Sequence, residues 1–279
     1  MSSPDRYALL GQPVSHSLSP RIHRQFAEQT HQNMTYEAIE VAPEQFANTV
    51  ADFFAGGGSG LNITVPHKLS AYALAGRLSA RAQRAGAINT LLIDPGGRVL
   101  IGDNTDGAGL VCDLLSNLEA PIHGQRVLIL GAGGATRGIL GPLLDLQPDE
   151  LCIANRSPER AQVLARLFAD MGPVRAATPA ELAGTHWDLI LNATSASLSG
   201  ELPPLSAQLL GPGCLCYDLA YGRGPTSFMR WAQSHGAART ASGVGMLIEQ
   251  AAEAFQLWRG VRPDTGPVRA LLMRESQES

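Results

Sequence analysis

The sequence predicts an α/β chain of two domains, and three observations carry that prediction. Short apolar, β-branched runs alternate with helical patterns along most of the 279 residues, as in βαβ units. One of those runs opens directly into a glycine-rich turn followed by a helical pattern. A long apolar helical pattern near the C-terminus has no strand left to pair with in its own half. The length suits two domains with a substantial buried core.

In the first hundred residues, 7–10, 36–41, 61–65, 87–93 and 99–101 read as strands, and 19–30, 43–55 and 67–78 as helices. Pro20 and Pro43 stand where a first helical residue tolerates proline. Pro95-Gly96-Gly97 reads as a turn, so 87–93 and 98–101 are expected to form a hairpin. The other strands are joined by helices, which implies a mostly parallel sheet with one antiparallel edge. A helix over 107–118 leads into strands at 126–130, 151–154, 174–177, 187–191 and 214–219. Thr178-Pro179-Ala180-Glu181 is a capping box before the strand at Trp187. The helix 243–258 carries Met246, Leu247, Ala251, Ala254, Phe255 and Trp258 on one side and is expected to return to the first domain. The expected division is 1–106, completed by 241–279, and 107–240. Two such domains leave a cleft, a usual place for a substrate.

A net charge of −4 gives no pull toward nucleic acid or an anionic membrane. No segment is long and apolar enough to span a bilayer, and the N-terminus lacks a basic region followed by an apolar one, so a cytoplasmic location is expected. Cys112, Cys152, Cys214 and Cys216 have no recognised zinc spacing and read as reduced and structural. No metal is expected, and a monomer and a homodimer are equally compatible with these residues.

The glycine turn is Gly131-Ala132-Gly133-Gly134-Ala135-Thr136-Arg137-Gly138, following Arg126-Val127-Leu128-Ile129-Leu130. It opens a helix predicted over 136–146 through Ile139, Leu140, Leu143, Leu144 and Leu146. Strand, glycine turn and helix N-terminus together present N–H groups and a helix dipole to a pyrophosphate, the Rossmann-type arrangement. At the end of the next strand stand Asn155, Arg156, Ser157 and Pro158, with Arg160 a helical turn further. An NAD site usually has an acid near that point, to hold the ribose 2′-hydroxyl. Two guanidiniums instead suit a 2′-phosphate. Solvated surface arginines are the alternative, but cations in a first helical turn oppose the dipole, which favours a bound anion. NADP is therefore preferred over NAD.

Three polar segments fall at strand ends in the first half, where open α/β sheets place their ligands. In Ser15-His16-Ser17-Leu18-Ser19-Pro20, Ser19 reads as a helix N-cap, while Ser17 has no such duty; two hydroxyls at a helix N-terminus suit a carboxylate. His16 reads as structural. In Asn62-Ile63-Thr64-Val65-Pro66-His67-Lys68, Asn62 and Thr64 share one strand face and suit substrate hydroxyls. Lys68 lies in the first turn of a helix, a poor place for a cation and a suitable one for a group that exchanges a proton. An exposed lysine is the plainer reading. In Gly102-Asp103-Asn104-Thr105-Asp106-Gly107, Asp106 either caps the next helix or forms an ion pair with Lys68. Asn89 and Thr90 add a polar point to an apolar run, and Gln250 interrupts an apolar helix surface, unless it is merely solvated.

Taken together and in order, these segments closely resemble the shikimate dehydrogenase family. The matches are HSLSP at 16–20, NITVPHK at 62–68, GAINT at 86–90, GDNTDG at 102–107, GAGGATRG at 131–138, NRS at 155–157, NATS at 192–195, YDLAY at 217–221 and GVGMLIEQAA at 243–252. The resemblance implies NADPH-dependent reduction of 3-dehydroshikimate to shikimate. By motif position it implies that Ser17 and Ser19 bind the substrate carboxylate. Asn62, Thr64, Asn89, Asp106 and Gln250 would bond ring hydroxyls, with Tyr221 close by. Lys68 would be the acid/base, assisted by Asp106. Gly131, Ala132, Gly133, Gly134, Ala135, Asn155, Arg156, Ser157, Arg160, Thr194, Leu219 and Gly243 would meet the cofactor. Leu18 replaces a lysine of some members, Leu219 a methionine and Ser197 a common glycine. HSLSP also occurs in the quinate/shikimate branch, so relaxed substrate or NAD use is one alternative and a non-catalytic nucleotide sensor another.

Overall fold

Residues 3–97, 99–194, 205–222 and 224–278 are described by the computed structural model. They fall into two units, Met1–Gly109 with Leu247–Ala270 and Leu110–Met246 with Leu271–Ser279.

The first unit is built on β1 (Asp5–Gly11), β2 (Met34–Glu40), β3 (Gly58–Ile63), β4 (Arg77–Leu78), β5 (Thr90–Ile93) and β6 (Leu100–Asp103), in the order β2-β1-β3-β5-β6-β4. β1 pairs in parallel with β2 and β3, and β4 with β6, while β5 runs antiparallel to both its neighbours. The expected hairpin is present, closed by Asp94, whose carboxylate accepts from Val99 N at 2.8 Å. The expected antiparallel edge is corrected: β5 lies inside the sheet, and the edge is β4. A two-residue strand has no periodicity to read; it exists because Arg77 and Leu78 pair with Ile101 and Gly102.

The helices are α1 (Ser19–Gln29), α2 (Phe46–Ala55), entered through a 3₁₀ turn at Pro43–Gln45, α3 (Lys68–Leu74) and α4 (Ala80–Ala85). The helix expected over 67–78 thus stops at Leu74. The following α4 went unread, although Ser79 caps it by accepting from Ala82 N at 3.2 Å. Ala8, Leu10, Leu61, Ile63, Ile88 and Leu91 fill the core between sheet and helices.

The second unit carries β7 (Arg126–Leu130), β8 (Glu150–Ala154), β9 (Val174–Ala177), β10 (Trp187–Asn192), β11 (Leu210–Asp218) and β12 (Arg239–Ser242). All are parallel, in the order β12-β11-β10-β7-β8-β9. This is the doubly wound order, with the switch point between β7 and β10, and β12 is the strand the sequence pattern did not announce. Val127, Leu128 and Ile129 are all fully buried, as a parallel strand covered on both faces requires. α5 (Asp106–Cys112) continues into a π-helical turn, Asp113–Asn117. α6 (Gly134–Leu144), α7 (Pro158–Phe168) and α8 (Ser227–Ser234) follow. The capping box forms as read, with Thr178 N donating to Glu181 Oε2 at 2.7 Å and Glu181 N to Thr178 Oγ1 at 3.3 Å. It opens only a 3₁₀ turn, Ala180–Leu182.

The chain ends in α9 (Val244–Arg259) and α10 (Gly266–Glu278). From Leu247 onward α9 belongs to the first unit, where Trp258 packs at a tilt against Tyr7 and donates to Leu91 O at 3.2 Å. Among the described residues no helix is long and apolar enough to cross a membrane. No group of His, Cys, Asp and Glu among them could hold a metal ion.

Candidate functional site

In the first unit the chain beyond β3 turns through residues 64–67 into α3, whose first residue is Lys68. Two contacts fix that turn. The His67 ring stacks on Phe46, centroids 4.5 Å apart, and one of its ring nitrogens donates to Val41 O at 2.7 Å. The Lys68 carbonyl in turn accepts from Ile88 N at 3.0 Å. From this anchored start the Lys68 ammonium reaches the Asp106 carboxylate and forms an ion pair. The two side chains are 13% and 6% exposed, so water screens the pair little. An ammonium has three protons; among the described residues Asp106 is the only partner, which leaves donors for a substrate oxygen.

Asp106 opens α5, but it does not cap it: Asn104 Oδ1 accepts from Asp106 N at 3.1 Å. The carboxylate is thereby released from local duty and faces Lys68 and Asn89, whose Nδ2 donates to Asp106 Oδ1 at 2.9 Å. Asn89 Nδ2 also lies 3.2 Å from Gln250 Oε1 and 2.8 Å from Thr105 Oγ1. Gln250 Nε2 donates to Leu247 O at 2.8 Å, so the helix that carries Gln250 also orients it. Lys68, Asn89, Asp106 and Gln250 thus form one network, buried against the end of the sheet. Thr105 belongs to it as well; the GDNTDG run contained it, but only Asp106 was given a role. Its hydroxyl and its N–H, the latter at 2.8 Å from Asn89 Oδ1, hold the Asn89 amide in one orientation.

Asn62 adjoins the network, with Nδ2 3.3 Å from Asn89 O and 3.2 Å from Thr90 Oγ1. Thr64 is half-buried and its hydroxyl has no partner among the described residues. At the start of α1 the sequence reading needs correction. The N-cap residue is Leu18, not Ser19, and Ser17 has a local duty after all, since its Oγ accepts from Ser19 N at 3.2 Å. Ser19 becomes the first helical residue, buried, with its hydroxyl unpartnered among the described residues. Tyr221 belongs to the second unit, half-buried beyond β11.

In the second unit the glycine turn sits where β7 ends, beside the switch point. Gly131 has φ +105, and a Cβ there would stand 3.0 Å from Ala193 O, so only glycine fits. Helix α6 begins at Gly134, two residues before the predicted start, and ends at Leu144. Its N-cap is Gly133, which has no side chain to cap the first turn, and among the described residues space is open around it. Ser157 takes the N-cap position of α7 with Pro158 after it, but its side chain makes no cap bond; Asn155 Nδ2 donates to Ser157 O at 2.9 Å instead. Arg156 and Arg160 are exposed, and neither has an acidic partner among the described residues. An uncovered helix N-terminus beside two unpaired guanidiniums fits a dinucleotide with an extra phosphate.

Thr194 is tied to the sheet, its Oγ1 donating to Asn192 Oδ1 at 2.8 Å. Asn192 Nδ2 donates on to Asp218 Oδ1 at 3.2 Å, and Asp218 Oδ2 accepts from Thr226 Oγ1 at 2.6 Å. These buried polar groups on two adjacent strands were not singled out, although NATS and YDLAY contained them. Leu219 and Gly243 touch: a Cβ on Gly243 would stand 2.1 Å from Leu219 O. Ser195 and Ser197 lie outside the described residues.

Three family models match the chain: the shikimate dehydrogenase substrate binding domain over residues 9–91, shikimate / quinate 5-dehydrogenase over 113–199, and the shikimate 5'-dehydrogenase C-terminal domain over 243–273. The shikimate dehydrogenase (NADP(+)) of Methylococcus capsulatus is 56% identical, over 99% of this chain and 98% of its own length. The crystal structure of an Ael1 enzyme from Pseudomonas putida is 49% identical, covers 95% of this chain and 96% of its own, and gives a TM-score of 0.87. Shikimate 5-dehydrogenase from Thermus thermophilus, in complex with NADP(H) and shikimate, is 35% identical, covers 97% and 99%, and gives a TM-score of 0.85. With identities of this size over nearly the whole length, on top of the two sites above, the chain belongs to the shikimate dehydrogenase family.

Proposed function

We propose that this chain catalyses the reversible, NADPH-dependent reduction of 3-dehydroshikimate to shikimate, a step of aromatic amino-acid precursor synthesis. The observation that carries the reading is the buried Lys68–Asp106 ion pair, joined through Asn89 to Gln250 in a chain whose relatives are named for this reaction. The first unit binds the substrate. Ser17 and Ser19 take its carboxylate, and Asn62, Thr64, Asn89 and Gln250 its ring hydroxyls, with Tyr221 as a further contact. The second unit binds the cofactor through Gly131, Ala132, Gly133, Gly134 and Ala135. Thr194, Leu219 and Gly243 are further cofactor contacts.

The cofactor, when bound, supplies the hydride. The Lys68 ammonium donates a proton to the oxygen of the former ketone and stabilises the negative charge that grows there. Asp106 holds the amine on that oxygen and favours its charged form until the proton passes to the oxygen. In the reverse direction Lys68 takes the proton back. Since all four cysteines are free thiols, we also assign the chain to the cytoplasm.

Wild-type protein is expected to reduce NADP at the expense of shikimate, with kcat/KM far above that for quinate or for NAD as acceptor; comparable values for quinate would favour the relaxed-substrate reading. Arg156→Ala and Arg160→Ala are each expected to lower kcat/KM with NADP about 10- to 100-fold, the value of one charged hydrogen bond to phosphate. NAD-linked turnover should stay within about twofold; equal losses with both cofactors would remove the arginines from 2′-phosphate recognition. Gly243→Ala forces the Leu219 carbonyl aside, at about 1–3 kcal/mol for an overpacked contact. Its expected signature is NADP binding weakened about tenfold in a calorimetric titration, with shikimate binding preserved.

A further inference from the structure

Behind Asn62 lies an aromatic cluster that the reaction does not use. His23 of α1 is fully buried, and neither of its ring nitrogens meets a hydrogen-bond partner. It stacks flat against Tyr36 of β2, centroids 4.1 Å apart and planes 8° apart. Phe26, Phe255 and Trp258 surround the rest of the ring. Burial pushes the imidazole down to about 3, and the nearby Asn62 amide offsets little of that shift. At neutral pH His23 is thus an uncharged plate with no bonds of its own, and what it supports is the Tyr36 ring.

Tyr36 held this way points its hydroxyl at Asn62. Its OH donates to Asn62 Oδ1 at 2.8 Å. That bond anchors the oxygen end of the Asn62 amide. The nitrogen end then faces Asn89 O and Thr90 Oγ1, both acceptors, and Asn89 continues to Asp106 and so to Lys68. Without a donor at Tyr36, Asn62 Oδ1 loses its hydrogen bond, and the amide is held at its nitrogen end alone. Tyr36 and His23 also line one cavity with Ser17.

We propose that Tyr36, backed by the neutral plate of His23, is a positioning residue that sets the Asn62 amide for substrate recognition. The inference rests on the function proposed above and extends it to two residues without a catalytic role. The phenol reaches the site through Asn62, so its effect is expected on substrate affinity and not on the proton and hydride steps.

The test is a double-mutant cycle in the full-length protein, read by steady-state kinetics and by shikimate titration calorimetry. Tyr36→Phe keeps the stack and removes the hydroxyl; it is expected to raise KM and Kd for shikimate about fivefold, the value of one hydrogen bond. KM for NADP and kcat should change less than about twofold. In an Asn62→Ala background the same substitution should change shikimate Kd less than about 1.5-fold, because the group it acts through is gone. His23→Ala is expected to share the Tyr36→Phe defect, and His23→Phe, which restores a flat ring, to rescue it. An unchanged shikimate KM in Tyr36→Phe, or the full fivefold effect persisting in the Asn62→Ala background, overturns the proposal. Wild-type protein that turns over no shikimate at all overturns the reaction itself, a separate failure visible before any variant is made.

Discussion

Lys68→Ala is expected to lower kcat for shikimate oxidation by about 10²- to 10⁴-fold, the range of a lost general acid/base. KM for shikimate should move far less, because the ring hydroxyls and carboxylate keep their other partners. The size of the effect follows from the seat of the amine. Lys68 and Asp106 are nearly withdrawn from water, and among the described residues no second cation faces the Asp106 carboxylate. Removing the ammonium also leaves that carboxylate buried and paired only with neutral groups, which costs stability, by about 3–5 kcal/mol in comparable buried pairs. A thermal melt of the variant must therefore accompany the kinetics. Lys68→Met, which fills the space without a charge, should show the same kcat loss. Asp106→Asn retains an acceptor for Asn89 but no longer fixes the amine, so an intermediate loss is expected. A Lys68 variant that folds and keeps a near-normal kcat removes the lysine from proton transfer.

Acid should weaken the fold through His23. In the unfolded chain its imidazole titrates near the ordinary 6.5, whereas burial in the native state pushes it down to about 3. Between those two values the unfolded chain binds the proton and the native protein does not. Stability is thus fully present above pH 6.5 and falls as the pH drops toward 3, by up to roughly 4 kcal/mol if burial stays complete. The rings of Phe26, Tyr36, Phe255 and Trp258 offer no charge to offset the proton. Urea unfolding at pH 7, 6, 5 and 4 measures the slope. His23→Phe is expected to keep the stability at pH 7 within about 1–2 kcal/mol and to flatten the decline below pH 6.5. Parallel profiles for the two proteins would show that some other group drives acid unfolding.

The parts of the protein legible in its sequence are those whose physics is local. Strand 126–130 was read to the residue because a parallel strand covered on both faces must be apolar throughout. The glycine turn after it declared itself because Gly131 adopts a backbone that other residues resist. Arg156 and Arg160 stood out because cations at a helix N-terminus are costly without an anion. Misreadings came where local signals compete. Ser19 followed by Pro20 looked like a cap, but the preceding turn moved the cap to Leu18 and gave Ser17 the bond. Periodicity ran smoothly through 67–78, yet pairing with β6 pulled Arg77 and Leu78 out of the helix.

Amino-acid order alone was enough for the α/β class, the dinucleotide half and the choice of NADP, since strand burial, turn geometry and dipole energetics act within a few residues. Only the tertiary structure settled the identity of the polar network. Lys68 meets Asp106 across 38 positions and Asn89 meets Gln250 across 161, separations at which spacing carries no information. It also decided that Asp106 is a partner of the amine and not a cap, because Asn104 had already taken the helix end. The roles of Tyr36 and His23 emerged last, for a stacked pair drawn from a helix and an edge strand exists only once the sheet has brought them together.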